Sequence, residues 1–187
     1  MKANRPFKPY YKIFLFDFKL IFIVALISCN QKVSNKYQSK FDSDLEKKHI
    51  NSTLDSFNNA AAKADFKTYF NFYTEDAIFT GTDATERWDK KDFMAYAKPF
   101  FDKGRAWNFT SIERHIYFDK TGSLAWFDEL LNTQMKICRG SGVLIKQGNN
   151  WKVQQYILSA TIPNPIMDDV VKMKSGIEDS LMVKIKR

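Results

Sequence analysis

The chain has 187 residues, 44% hydrophobic and 16% aromatic, which is enough apolar surface for one packed domain with tails and excludes a disordered chain. Its formal charge of +8 is divided, because Lys2, Arg5, Lys8, Lys12 and Lys19 against Asp17 place half of it before Cys29. The mild excess that remains fits ordinary solubility, so no nucleic-acid partner is expected.

From Leu20 to Ile27 runs an uninterrupted apolar stretch, preceded by the basic residues and followed by Ser28-Cys29. A charged start, a short apolar run and a small residue before the cut form an export signal. At eight residues the run is far below the roughly 20 needed to span a bilayer. Leu26-Ile27-Ser28-Cys29 resembles the lipobox of bacterial lipoproteins, which implies acylation of Cys29 and a membrane anchor in the cell envelope. Asn30 after the cysteine resembles the pattern sent to the outer membrane. Residues 1–29 are thus expected to be signal peptide and 30–43, rich in Asn, Gln, Lys and Ser, a polar tether.

The domain is expected over 44–164. Leu45, Ile50, Leu54, Phe57, Ala61 and Ala64 recur at helical spacing, and a second short helix from Asp65 would bury Phe66, Tyr69, Phe70 and Tyr73. Asp76–Gly81 reads as a brief strand. Lys90–Lys103 reads as a third helix, stopped by Gly104. Four strand-like runs follow: Trp107–Asp119, Ser123–Thr133, Ile137–Lys146 and Trp151–Ala160, with hairpin signals at Lys120-Thr121-Gly122 and Gln147–Asn150. Helices followed by an antiparallel meander predict an α+β fold. Residues 165–187 are expected to be a tail with a short amphipathic helix around Ile166–Met173.

This order of elements, with the phrases Gly81–Trp88, Ala125–Glu129, Arg139–Leu144 and Trp151-Lys152-Val153, resembles a SnoaL-like domain of the nuclear transport factor 2-like superfamily. The resemblance implies a cone of three N-terminal helices on a strongly curved antiparallel sheet, a pocket at the wide end and a homodimer through the sheet. It leaves open whether the pocket binds or catalyses, since fold does not fix function.

An enzyme of this kind, a cyclase, isomerase or dehydratase, would use a carboxylate in an apolar pocket as general base. Strand alternation puts Trp126 and Asp128 on one face and Phe127 and Glu129 on the other. A catalytic reading takes Asp128 or Glu129 as base and Arg139 as the group stabilising an enolate. The competing reading pairs one of these acids with Arg139 or Arg114 to hold the sheet in register, and it is preferred. Ligand contacts are expected from Glu86, Trp88, Trp107, Glu113, Trp126, Ser141 and Tyr156. Trp88 has two readings, a pocket lip or a staple of its loop onto the following helix, with Asp89 as that helix's cap. Registering the last hairpin on Gly148-Asn149 would set Ser141 opposite Tyr156. Gly140 and Gly142 sit within a strand and read as sites of bending or a bulge.

No Cys/His cluster has zinc spacing, so neither a metal nor a cofactor is expected, and Cys138 reads as a small buried residue. The function expected is an envelope-anchored domain that binds a small apolar or amphipathic molecule, with the carboxylate enzyme as the alternative.

Overall fold

A computed structural model describes residues 41–186. The expected export signal, Cys29 and nearly all of the expected tether lie outside the described residues. Asp42 starts helix α1 (Ser43–Ala62) by accepting the Asp44 and Leu45 amides on Oδ1, each at 3.1 Å. The buried stripe of α1 is Glu46, Ile50, Leu54, Phe57 and Ala61, a 4-4-3-4 spacing along one face. Leu45, expected on that stripe, is one position off it and exposed. Its neighbour Glu46 takes the place, and the buried carboxylate accepts Lys146 Nζ at 2.6 Å and Trp151 Nε1 at 2.7 Å.

Asp65 caps the short α2 (Phe66–Asn71) through the Thr68 amide. Tyr73, expected at the end of that helix, instead opens β1 (Tyr73–Thr80), where it is still buried and its hydroxyl lies 3.1 Å from that of Tyr69. A three-residue strand absent from the sequence reading, β2 (Arg87–Asp89), pairs antiparallel with β1. Asp89 then caps α3 (Lys90–Asp102) by accepting the Asp92 amide at 2.9 Å.

Strands β3 (Thr110–Phe118), β4 (Leu124–Thr133), β5 (Lys136–Gln147) and β6 (Asn150–Ala160) form the antiparallel meander. Trp107 and Phe109, expected within the first of these runs, precede β3 because their rings turn inward onto the helices. The six strands lie in the order β2-β1-β6-β5-β4-β3, with β1 parallel to β6. That one parallel pairing comes from the long excursion between β1 and the meander and is the sheet's exception to antiparallel order.

The β5–β6 hairpin turns at Gly148-Asn149, as its sequence specifies. The expected partnership of Ser141 with Tyr156 is nevertheless lost. Leu144 pairs with Val153, but Val143 pairs with Gln155, so Gln154 is an extra residue on β6. Beyond this bulge every partner shifts by one, and Ser141 faces Ile157 while Tyr156 faces Gly142. A Cβ on Gly142 would collide with the Gln155 carbonyl beside the bulge.

The core is strongly aromatic. Phe57 stacks on Tyr69 at 4.5 Å between centroids, and Phe79 stacks on Phe93 at 3.9 Å. After a single 3₁₀ turn (Asn164–Ile166), helix α4 spans Met167–Ile185, more than twice the length expected, and buries no residue. Asp168 and Asp169 in its first turn and Lys184 in its last suit the helix dipole, and Gly176 does not break it. Among the described residues, no helix is long and apolar enough to cross a membrane.

Candidate functional site

Helix α3, the β1–β2 loop, the approach to β3 and the β4–β5 turn surround a cavity of about 240 Å³. Seven of its fourteen lining residues are aromatic: Phe79, Trp88, Phe93, Tyr96, Phe100, Trp107 and Phe109. Their rings are largely aligned: Trp88 stacks on Tyr96 at 4.5 Å and 24°, and Phe93 lies 5.7 Å from Trp107 at 19°. Phe93 is wholly buried at the floor, whereas Tyr96, Phe100 and Met135 are exposed at the rim. Glu86 supplies the one charged side chain of the lining.

Three residues expected to contact a ligand, Glu86, Trp88 and Trp107, therefore meet at this cavity. The two readings of Trp88 are both realised, since its ring lines the cavity and also packs on Phe93 and Tyr96 of α3. The other aromatic walls escaped the sequence reading because Phe93 and Phe100 are indistinguishable there from ordinary core positions of an amphipathic helix. A hint was available: Tyr96 and Phe100, four apart, add a second aromatic strip beside the buried Phe93, Ala97 and Phe101.

Below the cavity floor lies the acid that sequence alone could not orient. Glu129 points inward and is 1% exposed, while Asp128 points outward. Arg114 Nε donates to Glu129 Oε2 at 2.8 Å, and Nη2 lies 2.8 Å from the same oxygen, off the line of a hydrogen bond. Tyr156 donates to Oε1 at 3.1 Å. Burial pushes the Glu129 carboxyl above the usual carboxylate range, with the Arg114 charge and these hydrogen bonds pulling it back. Burial likewise drives the Tyr156 and Tyr73 hydroxyls well above the ordinary tyrosine value.

Arg114 reaches further, to Asn51 Oδ1 and Asp55 Oδ1 of α1, both at 3.0 Å. It thus ties the long helix to β3 and β4. The ion-pair reading of the acid is the one that the geometry matches, with Arg114 as the partner. Neither Glu129 nor Tyr156 lines the cavity, and Phe79, which does, stacks on the Tyr156 ring at 6.0 Å.

The remaining candidates occupy the opposite face of the sheet. Asp128 and Arg139 are partly exposed there and 3.9 Å apart, and Glu113 bonds His115 at 2.9 Å. Trp126 stacks on Tyr117 at 5.8 Å, and Ser141 lies on the same side. These five residues do not join the cavity, since strand alternation directs them away from it. A larger surface recess of about 860 Å³, between α2 and the start of α3, contains none of the expected residues and is crossed by the Lys90–Glu75 ion pair at 2.8 Å. Among the described residues, no cluster of three or more His, Cys, Asp or Glu side chains could hold a metal.

Comparison with solved structures finds the same fold at low identity. An NTF2-like protein of unknown function from Pseudomonas putida KT2440 is 15% identical, with a TM-score of 0.56 over 65% of this chain and 91% of that one. An NTF2-like protein from Cytophaga hutchinsonii is 15% identical, with a TM-score of 0.53 over 62% and 98%. A candidate dehydratase of the NTF2-like family from Streptomyces avermitilis is 12% identical, with a TM-score of 0.55 over 65% and 100%. Among curated proteins, none matches the chain. The family model for the SnoaL-like domain matches residues 50–163, from the first buried isoleucine of α1 to the proline after β6. With most of its length so matched, the chain belongs to the SnoaL-like domain family.

Proposed function

We propose that this chain is a binding module of the bacterial envelope, holding a small apolar or amphipathic molecule in its aromatic cavity. The observation that carries this reading is the aromatic cavity itself, from which Glu129, the β4 acid expected as a base, is withdrawn. The cavity holds about 240 Å³ between Trp88, Trp107 and their neighbours, whereas Glu129 is covered and engaged by Arg114 and Tyr156. A general base needs an oxygen within reach of the substrate proton, and neither Glu129 oxygen has one in this arrangement.

In this proposal the lipobox at Leu26–Cys29 anchors the domain by acylation of Cys29, and Asn30 directs it to the outer membrane. The domain pairs as a homodimer through the outer sheet face. Support for that pairing comes from Ile112, Tyr117, Trp126 and Ile137, large apolar side chains left exposed on the meander.

Native mass spectrometry of the protein expressed in a bacterial envelope, released without denaturant, tests all three parts. The expected species is a dimer with an acyl mass at Cys29 and a reproducible small-molecule mass. A protein that is empty under every condition refutes the binding module, and an unmodified Cys29 refutes the anchor.

A further inference from the structure

We propose that the ligand of the aromatic cavity is a small organic cation, an alkylammonium or quaternary ammonium group, with Glu86 as its counter-charge. The inference rests on the cavity being a ligand site and adds the chemistry of the occupant.

Three observations converge on a cation. Aromatic rings present negative faces, and Trp, Tyr and Phe faces gathered around one space attract a positive charge that they partly desolvate. Trp88, Tyr96 and Phe93 stack on one another at 4.5 to 6.5 Å, so a cation would meet the outside of this aromatic stack, where Tyr96 and Phe100 are exposed at the rim, and not a gap within it. Second, Glu86 is the cavity's only charged lining residue, and among the described residues no basic side chain forms an ion pair with it. A neutral apolar ligand has no use for a carboxylate in this wall, and an anion would be repelled by both the carboxylate and the ring faces.

Third, the loop is built around that carboxylate. The Asp83 amide donates to Glu86 Oε2 at 3.2 Å, while Gly81 and Glu86 close the loop through the Gly81 N–H to Glu86 carbonyl bond at 2.9 Å. A Cβ on Gly81 would overlap the Glu86 carboxylate, so the glycine keeps the space in which the carboxylate sits. Oε1 accepts no hydrogen bond from the described residues and is available to a ligand. Its charge is felt across the cavity: the Tyr96 hydroxyl is held above its ordinary value by burial and by Glu86.

Size narrows the class. A volume of about 240 Å³ is roughly eight times the ~30 Å³ share of one liquid water, which sets the bound part at on the order of ten heavy atoms. A trimethylammonium head with a short substituent fits that limit.

Choline and its uncharged isostere 3,3-dimethyl-1-butanol separate charge from shape. Titration is followed by the indole N–H signals of the four tryptophans, of which Trp88 and Trp107 line the cavity and Trp126 and Trp151 do not. Choline is expected to shift Trp88 and Trp107 alone, and to bind about tenfold more tightly than the alcohol, in line with one cation–π and carboxylate contact. Glu86→Gln keeps the acceptor for the Asp83 amide. It is expected to weaken choline about tenfold and leave the alcohol unchanged, which also shows the cavity intact. Equal binding of both compounds, or choline binding indifferent to Glu86→Gln, overturns the cation while leaving an apolar ligand site standing. Absence of any shift at Trp88 and Trp107 with either compound overturns both the cation and the ligand site.

Discussion

Replacing Arg114 by methionine isolates the interaction on which the sheet and the long helix depend. Methionine matches the aliphatic reach of arginine but brings no charge, so the packing is largely kept and Glu129 is left buried with Tyr156 as its remaining partner. In the native protein the Arg114 side chain is 5% exposed and that of Glu129 is 0% exposed, so solvent screens the pair little. Removing one member of such a pair costs about 3–5 kcal/mol, a large share of the roughly 5–15 kcal/mol that holds a domain together. For a chain of this size the melting temperature should fall by about 10 °C.

The loss should also depend on pH. Burial already holds the Glu129 carboxyl above its ordinary value of 4.5, and loss of the Arg114 charge raises it further. For an acid so raised, the penalty is absent below the unfolded value and grows as pH rises through the folded one. Urea unfolding of Arg114→Met should therefore show a larger deficit near pH 7 than near pH 4. The double variant Arg114→Met/Glu129→Met should recover about 2 kcal/mol of the deficit, because the orphaned charge is gone. A single-variant cost below about 1 kcal/mol, or a deficit independent of pH, would refute the role given to this pair.

Two further outcomes follow from the same coordinates. Gly140→Ala puts a Cβ 2.5 Å from the Tyr156 hydroxyl and 3.1 Å from Glu129 Cγ, so it should lower the urea midpoint by an amount equivalent to about 1–3 kcal/mol; an unchanged midpoint would contradict the close approach. The Asp119 carboxylate, bonded to Thr121 Oγ1 at 2.6 Å and to the Leu124 amide at 3.0 Å, is pulled down to about 2 by the Thr121 hydroxyl above all. Its contribution to stability is present above the ordinary value of 3.8 and lost as pH falls through about 2. Asp119→Asn should flatten that part of the acid unfolding curve, and a carboxyl NMR titration with its midpoint near 4 would show the turn to be looser than described.

Local patterns were sufficient for much of this molecule. The periodicity of Ile50, Leu54, Phe57 and Ala61, the Asp89 cap and the Gly148-Asn149 turn each specify an element through near-neighbour geometry, which a linear sequence contains. Together with a few characteristic phrases they led to the SnoaL-like family and its α+β architecture, and the family match over residues 50–163 agrees.

What depended on contacts far apart in the chain could be settled only by the tertiary structure. Alternation separates Asp128 from Glu129 but does not say which is inside; that choice follows from Arg114 standing opposite Glu129, with α1 beyond it. The glycines at 140 and 142 hint at a bulge but do not say where the extra residue falls; placed at Gln154, it moves Tyr156 off Ser141 and its hydroxyl over Gly140, within reach of Glu129. The cavity is likewise assembled from the β1–β2 loop, α3, the approach to β3 and the β4–β5 turn. A residue's type sets what it can bind, but only packing decides which residues share a space. That is why Glu86, Trp88 and Trp107 could be named from the sequence, and why their enclosure with Phe93, Tyr96 and Phe100 could not.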